Sequence, residues 1–391
     1  MLSKYVNKQT IFFSIVTILM AAMVFFGTSG FAQNREGGTR FLPARVVEII
    51  EDNTSLNAAG ARVGRQTLTA RLLAGERRGD VVEVQNMLFP IENAVYARPG
   101  QRLLIFFEHQ PGATPDDYFA HVQSFDRSIG IYIVIILFLF LLGAVFGKTG
   151  LRSGFSLIFT FIVLLFLLIP LIIDGSPPAI MTILCALLII IVSLLSILGF
   201  GKKAYVAIIG SSIGIALYGI FYLFISAAIR ITGFNVQEAD LLIVAGFYMG
   251  VRQLLFSAIL IASLGALMDV AVSIASVTAE LHETNPNADF RELFRSGMKV
   301  GRDIIGSSSN TLILAFTGAF FISLILFRVH NVQYSVMINR VDIGIEVLRA
   351  ISASAAMVLC APATALIGSK VFASGSHEPP KSHNKKRKRR T

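Results

Sequence analysis

The sequence predicts an α-helical polytopic membrane protein of about eight spans, with a small extracytoplasmic all-β domain near its start. Composition is the first ground. Of 391 residues, 54% are hydrophobic and only 15% charged, and the mean hydropathy of +0.70 excludes an ordinary soluble domain. The second ground is a change of texture: residues 40–126 read as short β-type runs, and residues 129–373 as long apolar ones. The third is charge placement. The formal charge of +10 gathers in short loops between apolar runs and in the tail, a pattern that the positive-inside rule explains better than a nucleic-acid partner does. Cys185 and Cys360 lie inside apolar runs, where packing is their expected role and neither a disulfide framework nor a metal site is indicated.

Residues 1–33 carry Lys4 and Lys8 ahead of an apolar run from Ile11 to Phe26, and Gly30-Phe31-Ala32 places small residues where a signal peptidase reads. A cleaved signal and a retained anchor both fit, and either sends the next segment across the membrane. In residues 40–126, the runs Ala44 to Ile50, Gln66 to Leu73, Asp80 to Met87 and Arg102 to Glu108 are separated by turn signals at Asp52-Asn53, Gly79-Asp80 and Pro99-Gly100. About five short strands of this kind predict a small barrel of the OB type. Phe106 and Phe107 read as core, so nucleic acid is not an expected ligand.

Four spans follow: Ile129 to Gly147, Phe155 to Ile173, Ala179 to Phe200 and Ala204 to Ile229. Lys148 with Arg152, and Lys202 with Lys203, mark alternate loops, which fall in the cytoplasm if the β-domain lies outside. Gly210, Ser211, Gly214 and Gly219 give the fourth span a small-residue face suited to close helix approach. Residues 241–280 would make roughly 60 Å of helix, twice the hydrocarbon thickness. Arg252 divides that stretch. Two full spans there would put Arg291, Arg295, Lys299, Arg302 and the basic tail outside, so Leu241 to Gly250 is expected to be a re-entrant half-helix or an amphipathic surface helix. A short amphipathic helix through Met298 leads into a span from Ile304 to Phe327, and the last span runs from Ile345 to Phe372. Residues 374–391 form a basic cytoplasmic tail, in which Lys381 to Arg390 are placed to touch anionic lipid.

Asp269 is the chief candidate site residue. On a helix, Asp269, Ser273, Ser276 and Glu280 fall at offsets of four, three and four, one polar stripe on an apolar rod. A carboxylate in a spanning helix turns toward a bundle interior or a watery cavity and marks a pathway, or else serves only to hold helices together. The next span opens with Gly306, Ser307, Ser308, Ser309, Asn310 and Thr311 in the same half of the membrane, and Asp269 with Asn310 is the expected inner pair. Glu346 and Arg349 sit at ion-pair spacing near the outer end of the last span, where a structural role is favoured.

Gly265-Ala266-Leu267-Met268-Asp269-Val270-Ala271-Val272-Ser273-Ile274-Ala275-Ser276, then Asn285-Pro286, Gly301-Arg302-Asp303 and Ser309-Asn310-Thr311, resemble the YibE/F-like family of bacterial multi-pass membrane proteins. The similarity is expected to extend over the β-domain and all later spans. It implies a protein of the bacterial cytoplasmic membrane with a permease role, and specifies no substrate.

Three functions compete. The first is a transporter or channel for a cation, or for a small solute coupled to a proton or cation, with Asp269 in the path and Ser273, Ser276, Ser309 and Asn310 as neutral oxygen ligands. The second is a sensor or assembly protein whose outer β-domain binds an envelope partner. The third, an intramembrane enzyme, is disfavoured: aspartyl proteolysis needs two facing acids, and neither a His-Glu-x-x-His motif nor a nucleophile elbow occurs. No cofactor is expected beyond a bound monovalent cation or proton. The expected partners are the bilayer, anionic lipid at the tail and further copies of the chain.

Overall fold

A computed structural model describes residues 2–33, 39–58, 60–89, 95–109, 118–228, 242, 244 and 250–373. The basic tail, and all of the expected half-helix except Leu242, Val244 and Gly250, lie outside the described residues. The chain divides into two compact units, residues 28–145 and residues 1–27 with 146–391. Each is described by itself.

The first unit is built on a closed five-stranded barrel of β1 (Thr39–Leu56), β2 (Arg62–Leu72), β3 (Val81–Leu88), β4 (Arg102–His109) and β5 (Tyr118–Phe125). The strand order is β1-β2-β3-β5-β4, closed by β1 pairing with β4. β1 reaches both neighbours because it is long and bulged, with register shifts between Val46 and Glu48 and between Ile49 and Glu51; the extra residues bend it around the barrel. Alternation sorts each strand into an inner and an outer face. Val82 and Val84 of β3, Leu68, Ala70 and Leu72 of β2, and Leu103, Ile105 and Phe107 of β4 fill the interior. The same alternation corrects the reading of Phe106 as core: it lies on the opposite face from Phe107, stacked on His121 with ring centres 4.6 Å apart. Gln66 and Asn86 are buried amides that satisfy one another. Asn86 Nδ2 donates to Gln66 Oε1 at 2.9 Å and to the Val95 carbonyl at 2.7 Å, and Gln66 Oε1 also accepts from the Ala97 N–H at 3.0 Å, tying residues 95–97 to the barrel.

The second unit is a helical bundle. Its helices are the start of α1 (Leu2–Gln33), the later part of α2 (Ser128–Ile162), α3 (Ile169–Ile173), α4 (Pro178–Leu198), α5 (Lys202–Ala228), α6 (Val251–Thr284), α7 (Phe290–Ala319), α8 (Phe321–Val329), α9 (Tyr334–Ile338) and α10 (Val341–Ala373). From Ser128 to Ile173 the chain is helical for 46 residues, about 69 Å and too long for one crossing. Gly147 breaks it. Its φ of 57° and ψ of −131° are not helical, and glycine is the residue that takes such a backbone without strain. Further on, Val163–Leu168 widens into a π-turn just before Pro170, whose missing N–H and bulky ring spoil the regular ladder.

α10 is the central rod, packed against α5, α6 and α7. Small residues allow it. A Cβ on Gly210 of α5 would collide with the Thr364 side chain, and one on Gly214 would lie 2.9 Å from Leu267 Cδ2 and 3.1 Å from Cys360 Cβ. Gly297 and Gly301 do the same for α7: added Cβ atoms would stand 3.1 Å from Thr278 Cγ2 and from Ile274 Cδ1 respectively. The expected small-residue face of α5 therefore splits, for Gly219 meets nothing within 4 Å. α7 also differs from the reading of two pieces. It runs unbroken from Phe290 to Ala319, capped by Asp289, whose side chain accepts from the Glu292 N–H at 2.7 Å, and bends by 54° before α8. Nothing between Met298 and Ile304 breaks a helix, and Gly301 is held against Ile274 and Ala361. Among the described residues, six helical stretches are long and apolar enough to cross a membrane, or seven counting the bent α7–α8 pair.

Candidate functional site

α6 carries the site because its residues divide around the helix. Leu267, Val270, Ala271, Ile274, Ala275 and Thr278 are buried, and the helix packs against α4, α5, α7 and α10. From Leu254 to Glu280 what remains exposed is one line through Ala258, Ala262, Gly265, Asp269 and Glu280, with Ser273 and Ser276 half-buried beside it. The 3.6-residue period that put Asp269, Ser273, Ser276 and Glu280 on one stripe thus also puts them on the unpacked side. Ser276 Oγ donates to the Val272 carbonyl at 2.7 Å, which leaves its lone pairs as an acceptor. Asp269 has no hydrogen bond or ion pair among the described residues, so its carboxylate oxygens stand available.

On α7, Ser307, Asn310 and Thr311 are exposed, and Ser308 and Ser309 half-buried. Nine residues separate Gly301 from Asn310, two and a half turns, so Asn310 faces away from the side that Gly301 packs on α6 and α10. The structure brings α6 and α7 together but joins Asp269 to Asn310 by no hydrogen bond among the described residues. Glu346 and Arg349 do meet, with Arg349 Nη1 2.9 Å from Glu346 Oε1. The Arg349 guanidinium also lies 5.9 Å from the Phe316 ring centre on α7, while Glu346 Oε2 is buried and unpartnered among the described residues.

Arg252, a divider of the apolar run in sequence, also anchors a polar group in the structure. Arg252 Nη2 donates to Ser226 Oγ at 3.2 Å, the Tyr222 hydroxyl donates to the Arg252 carbonyl at 3.4 Å, and the Tyr218 hydroxyl to the Phe256 carbonyl at 3.3 Å. Tyr218, Tyr222 and Ser226 are four apart on α5, a spacing that could have revealed them as one face.

A model of the YibE/F-like protein family matches residues 134–374, more than half of the chain. The chain belongs to the YibE/F-like family. The YibE/F-like match takes in α4 to α10, with the Asp269 stripe and the Glu346–Arg349 pair, and leaves the barrel outside; the expected extension of the resemblance over the β-domain is not part of it. The helices of this YibE/F-like protein fit a multi-pass membrane protein. No curated protein and no solved structure matches the chain.

Proposed function

We propose that this YibE/F-like protein is a non-catalytic permease or channel of the bacterial cytoplasmic membrane, moving a cation or a small solute coupled to a proton or cation past Asp269. The observation that carries the reading is Asp269 on the unpacked stripe of α6, without a polar partner among the described residues. Facing hydrocarbon, that carboxylate would cost about 3 kcal/mol on insertion scales. A water-lined route along the exposed side of α6 removes the cost, and Ser273 and Ser276 beside Asp269 supply it with neutral oxygens suited to a cation. The proposed topology has eight crossings: α1, the two parts of α2 taken as separate spans on either side of the non-helical Gly147, α4, α5, α6, the bent α7–α8 pair and α10. An even count returns the basic tail to the cytoplasm and leaves the barrel outside. Flux into liposomes holding the full chain tests the reading. Asp269→Asn is expected to lose flux by at least about tenfold, a barrier change of about 1.4 kcal/mol, while Asp269→Glu keeps a measurable part; equal flux for wild type and Asp269→Asn ends the proposal.

A second reading is favoured by the barrel itself. Its strand order and the parallel contact of β3 with β5 support an OB-type assignment. That contact is limited to Gln85 and His121, and beside it lies a cleft of about 370 Å³ lined by Gln85, Phe89, Phe119, His121 and Gln123 among others. His121 Nδ1 is buried there without a partner among the described residues. In this reading the barrel binds an envelope component and the bundle relays the event. Removing residues 40–126 separates the two: a truncated bundle that retains full flux makes the barrel an accessory.

A further inference from the structure

We propose that the cleft between α1 and the later part of α2 is a binding site for one anionic phospholipid, held by Lys148 and Arg152. The cleft has a volume of about 730 Å³, of the size of a small-molecule site. Gln9, bonded to Arg152, marks its charged end, Thr10, Ser14 and Thr17 follow along α1, the Thr17 hydroxyl donating to the Phe13 carbonyl at 2.8 Å, and Phe13 and Ile18 supply apolar wall. Gln9 is also where the apolar span of α1 begins, so the cleft runs from the edge of the span about 13 Å into it.

The charges decide the sign of the ligand. Lys148 and Arg152 are one turn apart and face the same cleft, and among the described residues no acidic residue lines it and neither cation has an ion-pair partner. Arg152 is held in place by a neutral group: its Nη2 donates to Gln9 Oε1 at 2.9 Å. That bond orients the guanidinium without cancelling its charge, and leaves further N–H donors in the planar fork that suits a phosphate. The apolar end decides the size. A free phosphate would use only the polar end, whereas a phospholipid places its phosphate between Lys148 and Arg152 and lays an acyl chain along Phe13 and Ile18, the latter 69% exposed. Basic pockets between spanning helices take headgroups in this way. The site shares no residue with the Asp269 stripe and does not depend on what passes there.

The test is lipid titration of delipidated full-length protein, followed by native mass spectrometry. One equivalent of dioleoyl phosphatidylglycerol is expected to bind at least tenfold more tightly than dioleoyl phosphatidylcholine. Lys148→Gln with Arg152→Gln should weaken that equivalent by about 10- to 30-fold, as two basic groups at a membrane surface account for. Arg295→Gln with Lys299→Gln, which removes two cations elsewhere, should leave it unchanged. Gln9→Glu sets a carboxylate beside Arg152 with both cations kept, and should weaken binding comparably, so a double variant that fails to fold does not decide the matter. Wild-type affinity in both the double variant and Gln9→Glu would overturn the proposal. So would displacement of the bound lipid by millimolar inorganic phosphate, which would assign the cleft to a soluble anion.

Discussion

Gly210 and Gly219 share a helix and look alike in the sequence, yet their surroundings differ completely. A methyl at Gly210 meets Thr364, and one at Gly219 meets open space. Gly210→Ala is therefore expected to cost about 1–3 kcal/mol through overpacking, whereas Gly219→Ala should be neutral or stabilise by up to about 1 kcal/mol, since alanine is the better helix former. Thermal unfolding of the two variants in one detergent, followed by circular dichroism, checks the contrast. Asp269 lies at the opposite extreme from Gly210. Among the described residues it has no hydrogen-bond or ion-pair partner to lose, so Asp269→Asn should keep the wild-type melting curve within about 0.5 kcal/mol. The carboxylate and its stripe were legible because a lone acid in an apolar run and a helical period are properties of sequence. Which partner faces Asp269 was not, since Asn310 shares its depth but points the other way around α7, and rotation about a helix axis is fixed by packing.

Among elements, the barrel was legible from period-two alternation and turn residues, except where long-range geometry enters. The bulges that lengthen β1 and let it close the barrel depend on strand pairing that no local pattern encodes. The junction after β5 carries its own prediction. Asp126, with its side chain 5% exposed, pairs with Arg102 at 2.9 Å and accepts from the Ser128 hydroxyl and from the Ser128 N–H at 3.1 Å. Burial alone would raise its carboxyl, but the hydrogen bonds from Ser128 and Arg102 outweigh burial and hold it below the usual carboxylate range. A depressed folded value means that the ionised form stabilises the fold above the unfolded pKa of about 3.9, and that this contribution is lost as pH falls through the folded value. Asp126→Asn should thus destabilise by about 2 kcal/mol at pH 7, with the gap to wild type closing as pH falls below about 4; urea unfolding at the two pH values measures it. Gly147 is the corresponding point in α2. With φ at 57° and ψ at −131°, a backbone that side chains rarely adopt, Gly147→Ala should cost about 1–3 kcal/mol, read as a lowered melting temperature by circular dichroism.

The class of the whole molecule was the most legible level, because composition and the spacing of basic loops act along the entire chain. The bend between α7 and α8 and the break at Gly147 were less so, being choices among paths that all satisfy the same hydropathy. The topology makes one global prediction: in cells, single cysteines replacing Lys148 and Lys203 should resist a membrane-impermeant thiol reagent, and one replacing Glu83 in the barrel should react. Reversal of that pattern would invert the orientation and remove the cytoplasmic site for Lys148 and Arg152. If Asp269 is a ligand in a path, it binds its ion reversibly in the purified protein. The most direct measurement is calorimetric titration of purified full-length protein in nanodiscs with sodium, potassium and protons, wild type beside Asp269→Asn. Saturable binding of one of these ions to wild type, weakened at least about tenfold in the variant, a loss of about 1.4 kcal/mol, is the predicted result. Binding that is the same in both proteins, or none to a stably folded wild type, would contradict it and shift the working part of the molecule to the barrel.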